Sequence, residues 1–166
     1  MTQARLLSTW FGIGLLRPAP GTWGSAVATL LGLLIYRYLG FPALVGLTLL
    51  VTWLGFWACR AELAHRPGED PSEIVIDEVA GQWLALLFPA AAFWGNGWEG
   101  FMPWPAPLAA FLFFRLFDIR KPWLVGRADR RGDAAGVMLD DLWAGLFAGL
   151  AVLASGALYH VYLLAG

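Results

Sequence analysis

The chain has 166 residues, of which 59% are hydrophobic and only 14% are charged. Ordinary soluble domains carry about 25% charged residues. A soluble domain of about 150 residues hides only about 70% of its chain surface from water, so it could not bury this many apolar residues. The composition therefore predicts a single membrane domain over residues 1–166 and excludes a large soluble appendage. The net charge of −1 argues against a nucleic-acid partner, and the single cysteine, Cys59, excludes an intramolecular disulfide framework or a cysteine-rich metal site.

The first apolar stretch runs from Leu6 to Leu16 and is too short to cross a membrane as a helix. It ends at Arg17 and the proline-containing stretch Pro18 to Pro20. We expect it to lie along the membrane interface as a helix. The competing interpretation is a secretory signal peptide with the small-residue pattern Ala26-Val27-Ala28, but Arg17 interrupts the apolar region before that point.

Five further apolar stretches follow, and a membrane-crossing helix takes about 20 residues, or fewer where the bilayer thins locally. They are predicted at Gly24 to Leu39, Pro42 to Ala58, Val79 to Trp94, Pro105 to Phe117 and Leu142 to Leu164. The first and the fourth are short, so their depth stays open. We expect an all-α fold: a polytopic helical membrane bundle with about five spans and an N-terminal interfacial helix.

Positive charges predict the orientation of this bundle. If the amino terminus is cytoplasmic, ten basic residues fall on the cytoplasmic side or at its edge, and only Arg37 falls near the opposite face. The ten are Arg5, Arg17, Arg60, Arg66, Arg115, Arg120, Lys121, Arg127, Arg130 and Arg131. The sequence therefore predicts a multi-pass protein with a cytoplasmic amino terminus and an external carboxyl terminus.

Five acidic residues share one feature: each lies at the cytoplasmic boundary of a predicted span. They are Asp77, Glu78, Asp118, Asp140 and Asp141. The segments IVIDEVAG and VMLDDLWAG resemble two copies, because each places two adjacent carboxylates after three apolar residues and shortly before Ala-Gly. A single acid at a helix start is a favourable charge worth about 0.3–1 kcal/mol, whereas two adjacent acids exceed what capping needs. Ionisable groups at such a depth indicate a functional site.

A cluster of carboxylates needs protons or cations, because two like charges about 4 Å apart repel by roughly 4 kcal/mol at an effective dielectric of about 20. Oxygen ligands without cysteine or paired histidine favour a hard divalent ion such as Mg²⁺. His65 and His160 fall on opposite sides of the predicted membrane and share no ligand spacing. A proton or cation pathway, and structural caps paired with nearby arginines, stay open as alternatives.

Basic residues lie next to the acids. Arg115 precedes Asp118 by three residues and shares its helical face, Lys121 follows, and Arg130 lies in the next loop. Arginine together with a divalent ion is a common way to hold a phosphate. These neighbours indicate a phosphate-binding site beside the acidic cluster.

The string Pro20-Gly21-Thr22-Trp23-Gly24-Ser25 precedes the first predicted span. Its glycines would let backbone N–H groups approach an anion at a helix start. Alone it is a weak signal, because Pro-Gly is also a common turn and serine a common cap. No lysine follows in the pattern of a P-loop.

Four ordered strings, GIGLLRPAPGTWGS, DPSEIVIDEVAGQW, FRLFDIRKPW and GVMLDDLWAG, resemble the phosphatidylglycerophosphatase A family of bacterial inner-membrane lipid phosphatases. The resemblance implies Mg²⁺-dependent removal of the terminal phosphate from phosphatidylglycerol phosphate, which gives phosphatidylglycerol and inorganic phosphate at the cytoplasmic face. On this basis we expect catalysis and metal binding at Asp77, Glu78, Asp118, Asp140 and Asp141. We expect phosphate binding at Thr22, Ser25, Arg115, Lys121 and Arg130.

Two rival functions come from other classes. A small proton- or cation-coupled transporter would also use clustered acids, but these should lie nearer the bilayer centre. A non-catalytic scaffold that binds anionic lipid through its arginine-rich loop would leave the apolar-flanked acid pairs without a purpose. Within the phosphatase hypothesis, direct attack by water and an aspartyl-phosphate intermediate both stay open.

Overall fold

The computed structural model describes residues 2–65 and 71–165, with side chains described as far as residue 162. Within these ranges the chain forms helices and no strand, which confirms the predicted all-α fold. The elements are α1 (Gln3–Ser8), a 3₁₀ turn (Ile13–Leu15), α2 (Pro20–Leu63), α3 (Ile76–Gly95), α4 (Ala106–Arg120), α5 (Leu124–Asp129) and α6 (Ala134–Ala165).

Helix α2 consists of two limbs, residues 20–39 and 41–63, that meet at Gly40. Its φ of 83° and ψ of 173° lie in a region that is essentially restricted to glycine. Pro42 lies two residues later and has no N–H with which to continue the helical hydrogen bonding across the break. The apolar stretches predicted on either side of residues 40–41 are therefore separate helical limbs.

The helices run alternately in opposite directions. Gly21 lies against Glu78 and Gly40 lies against Trp94, so the first limb of α2 and α3 are parallel. Arg115, near the end of α4, also approaches Glu78, at the beginning of α3, so α4 runs antiparallel to α3. This alternation brings residues that are distant in sequence to one end of the bundle.

The second limb of α2 returns to that same end. Gly55 lies against Ile76, the first residue of α3, and against Met138, one turn into α6. The core between the helices is built from buried apolar side chains that include Leu44, Leu86 and Phe114.

Two helices, Pro20–Leu63 and Ala134–Tyr162, are long and apolar enough to cross a membrane. Only 22% and 28% of their most apolar stretches are buried, so both turn broad apolar faces outward. Helix α4 has 15 residues, fewer than the about 20 that a perpendicular crossing takes. The described ranges thus contain two candidate spans, and the count of five stays a prediction.

In the amino-terminal segment, the helix is shorter than the predicted stretch from Leu6 to Leu16. Helix α1 ends at Ser8, and Trp10 and Phe11 adopt left-handed backbone angles with φ of 46° and 56°, which a continuing helix does not allow. Four large apolar side chains of the segment are exposed. They are Leu6, Phe11, Leu15 and Leu16.

The same segment packs on the chain that leads into α3. The N–H of Val75 donates to the carbonyl oxygen of Ser8 at 2.8 Å. Gly14 lies so close to the backbone of Glu73 that a Cβ there would be 2.0 Å from the Glu73 carbonyl oxygen. Gly14 is therefore needed for close approach, and the segment forms part of the end of the bundle where α3 begins.

Candidate active site

A cavity of about 350 Å³ lies at the end of the bundle where α2, α3 and α6 begin and α4 ends. We call it the acidic cavity. Seven of the ten predicted site residues line it: Asp77, Glu78, Asp118, Asp140, Asp141, Arg115 and Lys121. The structure thus brings together acidic side chains from three helices that lie far apart in sequence.

One wall of the acidic cavity depends on direct backbone contact between α3 and α6. A Cβ on Gly145 would lie 2.2 Å from the carbonyl oxygen of Gly81, and a Cβ on Gly81 would lie 2.5 Å from the carbonyl oxygen of Asp141. Asp77 and Asp141 each precede one of these glycines by about one helical turn. The close crossing therefore places both carboxylates in one wall, where the residues are 8% and 3% exposed.

Each of the two acid pairs contains the same kind of local hydrogen bond. The N–H of Glu78 donates to Asp77 Oδ1 at 3.0 Å, and the N–H of Asp141 donates to Asp140 Oδ1 at 3.0 Å. In each pair, the backbone N–H of the second residue thus orients the side-chain carboxylate of the first. The likeness of the two sequence segments is therefore a likeness of structure as well.

Arg115 forms the basic centre of the opposite wall. Its Nη1 donates to Asp118 Oδ2 at 2.6 Å and to Ser25 Oγ at 3.5 Å, and it lies 3.7 Å from Glu78 Oε1. Ser25 is fully buried and donates to the carbonyl oxygen of Gly21 at 2.8 Å. Arg115 is thus held between α2, α3 and its own helix.

Lys121 forms a second basic centre. Its Nζ donates to Asp140 Oδ2 at 3.0 Å and also to Asp129. Lys121 ends α4 in the left-handed conformation, with φ of 45°, and its own N–H donates to the carbonyl oxygen of Phe117 at 2.8 Å. Burial opposes protonation, but the hydrogen bonds that Lys121 donates to the two carboxylates outweigh it and raise the pKa of Lys121 above its usual value. The amine therefore stays charged at neutral pH.

The glycine string before the first predicted span packs against Glu78. A Cβ on Gly21 would lie 1.8 Å from Glu78 Oε1, and one on Gly24 would lie 3.2 Å from Glu78 Oε2. These glycines make room for a carboxylate of the chain itself at the start of α2, where the positive end of the helix dipole favours a negative charge. Pro20 and Gly21 also line the acidic cavity, and the anion cradle expected at this string stays a prediction.

Three predicted phosphate-binding residues lie outside the lining of the acidic cavity. Ser25 reaches it indirectly, through its contact with Arg115. Thr22 is exposed, and its N–H donates within the first turn of α2 to the carbonyl oxygen of Ala19. Arg130 is exposed at the end of α5.

Two further polar residues belong to the elements that form the site, and neither of them was given a role from the sequence. Asp129 lines the acidic cavity and accepts from Lys121; its signal was its place directly before Arg130 in the basic loop. Gln82 lies one turn after Glu78, is fully buried, and has no hydrogen-bond partner for its side chain among the described residues. An amide within the apolar run of α3 was the signal for Gln82.

The charge of the acidic cavity indicates a cation. In the described part of the chain, six carboxylates and two basic groups line it, which gives these residues a formal charge of −4. Glu78 Oε2 is buried without a hydrogen-bond partner in the described part of the chain. The acidic side chains of the cavity are aspartates and glutamates, which would offer oxygen atoms as metal ligands. By donor type and charge, these residues fit a hard divalent ion such as Mg²⁺. Among the described residues no three acidic, histidine or cysteine side chains already converge as a metal site, and Asp118 and Asp140 pair with the basic groups.

The family model for phosphatidylglycerophosphatase A matches residues 6–155, which is most of the chain. The chain belongs to the phosphatidylglycerophosphatase A family. The match includes all four strings that carried the resemblance and every residue that lines the acidic cavity. No solved structure matches the chain.

Two relatives carry the name of this family, and a third carries a different name. A Haemophilus influenzae protein named phosphatidylglycerophosphatase A is 37% identical over 155 residues, 93% of this chain and 89% of its own length. An Escherichia coli K12 protein of the same name is 32% identical over 161 residues, 94% of this chain and 81% of its own. A Bacteroides thetaiotaomicron protein, provisionally named a phosphatidylinositol-3-phosphatase, is 38% identical over 146 residues, 86% of each. These matches confirm the predicted enzyme class, a phosphatase.

Proposed function

We propose that the chain hydrolyses the terminal phosphomonoester of phosphatidylglycerol phosphate, with Mg²⁺, at the cytoplasmic face of the bacterial inner membrane. The observation that carries the proposal is the acidic cavity, in which carboxylates of α3, α4 and α6 surround Arg115 and Lys121. Phosphate hydrolysis needs positive charge at the transferred group and a base for the attacking water. The acidic cavity contains side chains for both tasks.

Each side chain has a proposed role. Asp77 and Asp141, which lie buried in the α3–α6 wall, would hold the metal together with Glu78, Asp118 and Asp140. When bound, Mg²⁺ neutralises phosphate charge and lowers the pKa of a coordinated water. Arg115 and Lys121 bind phosphate oxygens, and a carboxylate of the cluster accepts the proton of the attacking water. Ser25 positions Arg115, whereas Thr22 and Arg130 have no part in this proposal.

We extend the proposal to a five-span arrangement. The outward apolar faces of α2 and α6 support insertion in a membrane, and the break at Gly40 gives α2 two limbs that run in opposite directions. Arg37 lies at the end of the bundle away from the acidic cavity, where it contacts the rings of Tyr38 and Phe101. Within the described ranges, the other basic residues are concentrated toward the cavity end, which supports a cytoplasmic site.

Cysteine accessibility tests this orientation. Cys59, the only cysteine, is buried, so a Cys59→Ala background allows single cysteines to be placed at Arg131 and Arg37. In right-side-out vesicles, we expect a membrane-impermeant maleimide to label the Arg37→Cys variant and not the Arg131→Cys variant. Inside-out vesicles should reverse the pattern. Labelling of both positions from one side would overturn the five-span arrangement.

The position of the acids favours hydrolysis over transport. A proton- or cation-coupled carrier would place its ionisable groups near the middle of the bundle. Here Asp77 and Glu78 lie in the first turn of α3, and Asp118 lies in the last turn of α4. Chemistry at this end would let the headgroup react while the acyl chains remain in hydrocarbon.

Phosphate release by the purified protein tests the activity directly. We expect release from phosphatidylglycerol phosphate in neutral detergent with Mg²⁺, and loss of release when EDTA removes the metal. Phosphatidylinositol 3-phosphate is the comparison substrate, because the Bacteroides thetaiotaomicron relative carries that name. Faster release from the inositol lipid would show that the proposed substrate is wrong, while the proposed reaction class, phosphomonoester hydrolysis, would stand. Release from neither lipid would refute the proposal.

A further inference from the structure

A second, smaller cavity of about 170 Å³ adjoins the acidic cavity. We call it the arginine cavity. Its lining includes Arg5, Arg17, Gly14, Leu15 and Glu73. Pro20 and Ser72 line both cavities, so the two are neighbours at one end of the bundle.

The two cavities have opposite charge. Among the described residues, the arginine cavity is lined by two guanidinium groups and one carboxylate, a formal charge of +1, against −4 for the described lining of the acidic cavity. Arg5 Nη2 lies 3.7 Å from Glu73 Oε1, and Arg17 is exposed. A singly charged anion therefore matches the arginine cavity without a metal ion, whereas a phosphomonoester in the acidic cavity needs one.

The walls of the arginine cavity are fixed by the backbone. Gly14 packs on the carbonyl oxygen of Glu73, and the hydrogen bond from Val75 to Ser8 ties the amino-terminal segment to the chain before α3. Arg5 and Arg17 come from the two ends of that segment and reach the same opening. Such an arrangement holds an anion at less entropic cost than two mobile surface arginines would.

Exposed apolar side chains lie next to this opening. Leu15 lines the arginine cavity and is 51% exposed, and Leu16 beside it is 43% exposed. Apolar side chains adjacent to guanidinium groups suit the boundary between acyl chains and phosphate headgroups. The anion that enters here is thus expected to belong to a lipid.

We infer that the arginine cavity binds the phosphodiester of the lipid substrate while the terminal phosphomonoester occupies the acidic cavity. This inference rests on the proposed function, since phosphatidylglycerol phosphate carries both groups on one glycerol. The diester has one negative charge, which the arginine cavity matches, and the acyl chains leave past Leu15 and Leu16. Arg5 and Arg17 thereby select lipids over soluble phosphomonoesters.

Two inhibitors separate the cavities in an experiment on the full chain in neutral detergent. Short-chain phosphatidylglycerol carries the diester alone, and inorganic phosphate occupies only the monoester site. For Arg17→Gln, we expect KM for phosphatidylglycerol phosphate and the inhibition constant of short-chain phosphatidylglycerol each to rise about tenfold. The value of kcat and inhibition by phosphate should not change. Arg5→Gln should act in the same direction, and Arg120→Gln, outside both cavities, should match the wild type.

The outcomes separate this inference from its rivals. Unchanged inhibition by short-chain phosphatidylglycerol in Arg17→Gln would overturn it, as would an equal loss of phosphate inhibition. An effect that appears only in vesicles rich in anionic lipid, and not in neutral micelles, would assign Arg17 to general surface attraction and also overturn it. If the wild type released no phosphate, the proposed function would fall, and calorimetric titration of short-chain phosphatidylglycerol into wild type and Arg17→Gln would still decide the binding site.

Discussion

Gly145 lies directly on the carbonyl oxygen of Gly81, at the point where α6 crosses α3. This contact has a chemical consequence one turn earlier on each helix, where Asp77 and Asp141 are brought into the same wall. Asp77 and Asp141 belong to separate helices, and the contact between these helices fixes the spacing of the two carboxylates. The helix crossing and the acidic cavity are therefore one structural unit.

Gly145→Ala tests this unit. A Cβ at 2.2 Å from a backbone oxygen must push the helices apart, so we expect a loss of about 1–3 kcal/mol in the free energy of unfolding and a fall in phosphate release of at least about tenfold. Gly156→Ala is the matched control, because a Cβ at that position of α6 meets nothing within 4 Å. Equal activity of the two variants in one detergent would show that the crossing does not position the acids.

Gly21→Ala should separate activity from stability. Its Cβ would meet only the ends of flexible side chains, Glu78 Oε1 at 1.8 Å and Arg115 Nη1 at 3.2 Å. Both can move, so the thermal unfolding midpoint should stay close to that of the wild type while kcat falls. Gly46→Ala, in open space on the same helix, should leave kcat unchanged. A normal kcat for Gly21→Ala would remove Glu78 from the proposed machinery.

Asp77→Asn and Asp141→Asn test the proposed metal ligands. The substitutions keep side-chain volume and remove a negative charge, so we expect normal insertion and expression with phosphate release lower by at least about a hundredfold. The Mg²⁺ concentration that gives half-maximal rate should rise in any variant that keeps measurable activity. Near-normal turnover in both variants would refute the metal site.

Arg115→Lys tests whether geometry matters beyond charge. Lysine keeps the positive charge but loses the planar donor group that bonds Asp118 and Ser25 together. Loss of charge-assisted bonds worth about 1.5–3 kcal/mol predicts a decrease in kcat/KM of about 10- to 150-fold. Arg120→Lys, on the exposed face of the same helix, is the control and should keep the wild-type kcat/KM.

The helices were predictable because apolar stretches of sufficient length mark them in the sequence. The break at Gly40 follows from Gly and Pro close together between two such stretches. The number of spans does not follow, since α4 is too short to span by length alone. Helix α5, with six residues, gave no periodic signal at all.

The acidic site was predictable because the segment that carries its acid pairs occurs twice in the sequence. Two segments with the same order of apolar residues, acids and glycine had to begin equivalent helices, and they do so at one end of the bundle. The partners of individual side chains were less predictable. Glycines permit close approach by any group, and only the fold determines that Glu78 approaches Gly21. In the same way, the position of α5 turns Asp129 toward Lys121 and leaves Arg130 in the open.

The outward apolar faces of α2 and α6 have a practical consequence for every measurement above. With only 22% and 28% of these stretches covered by the protein, the surrounding amphiphile is a large part of the environment in which the bundle folds. An unfolding free energy obtained in micelles therefore belongs to protein and detergent jointly. Values for two variants are comparable only in the same detergent at the same ratio to protein.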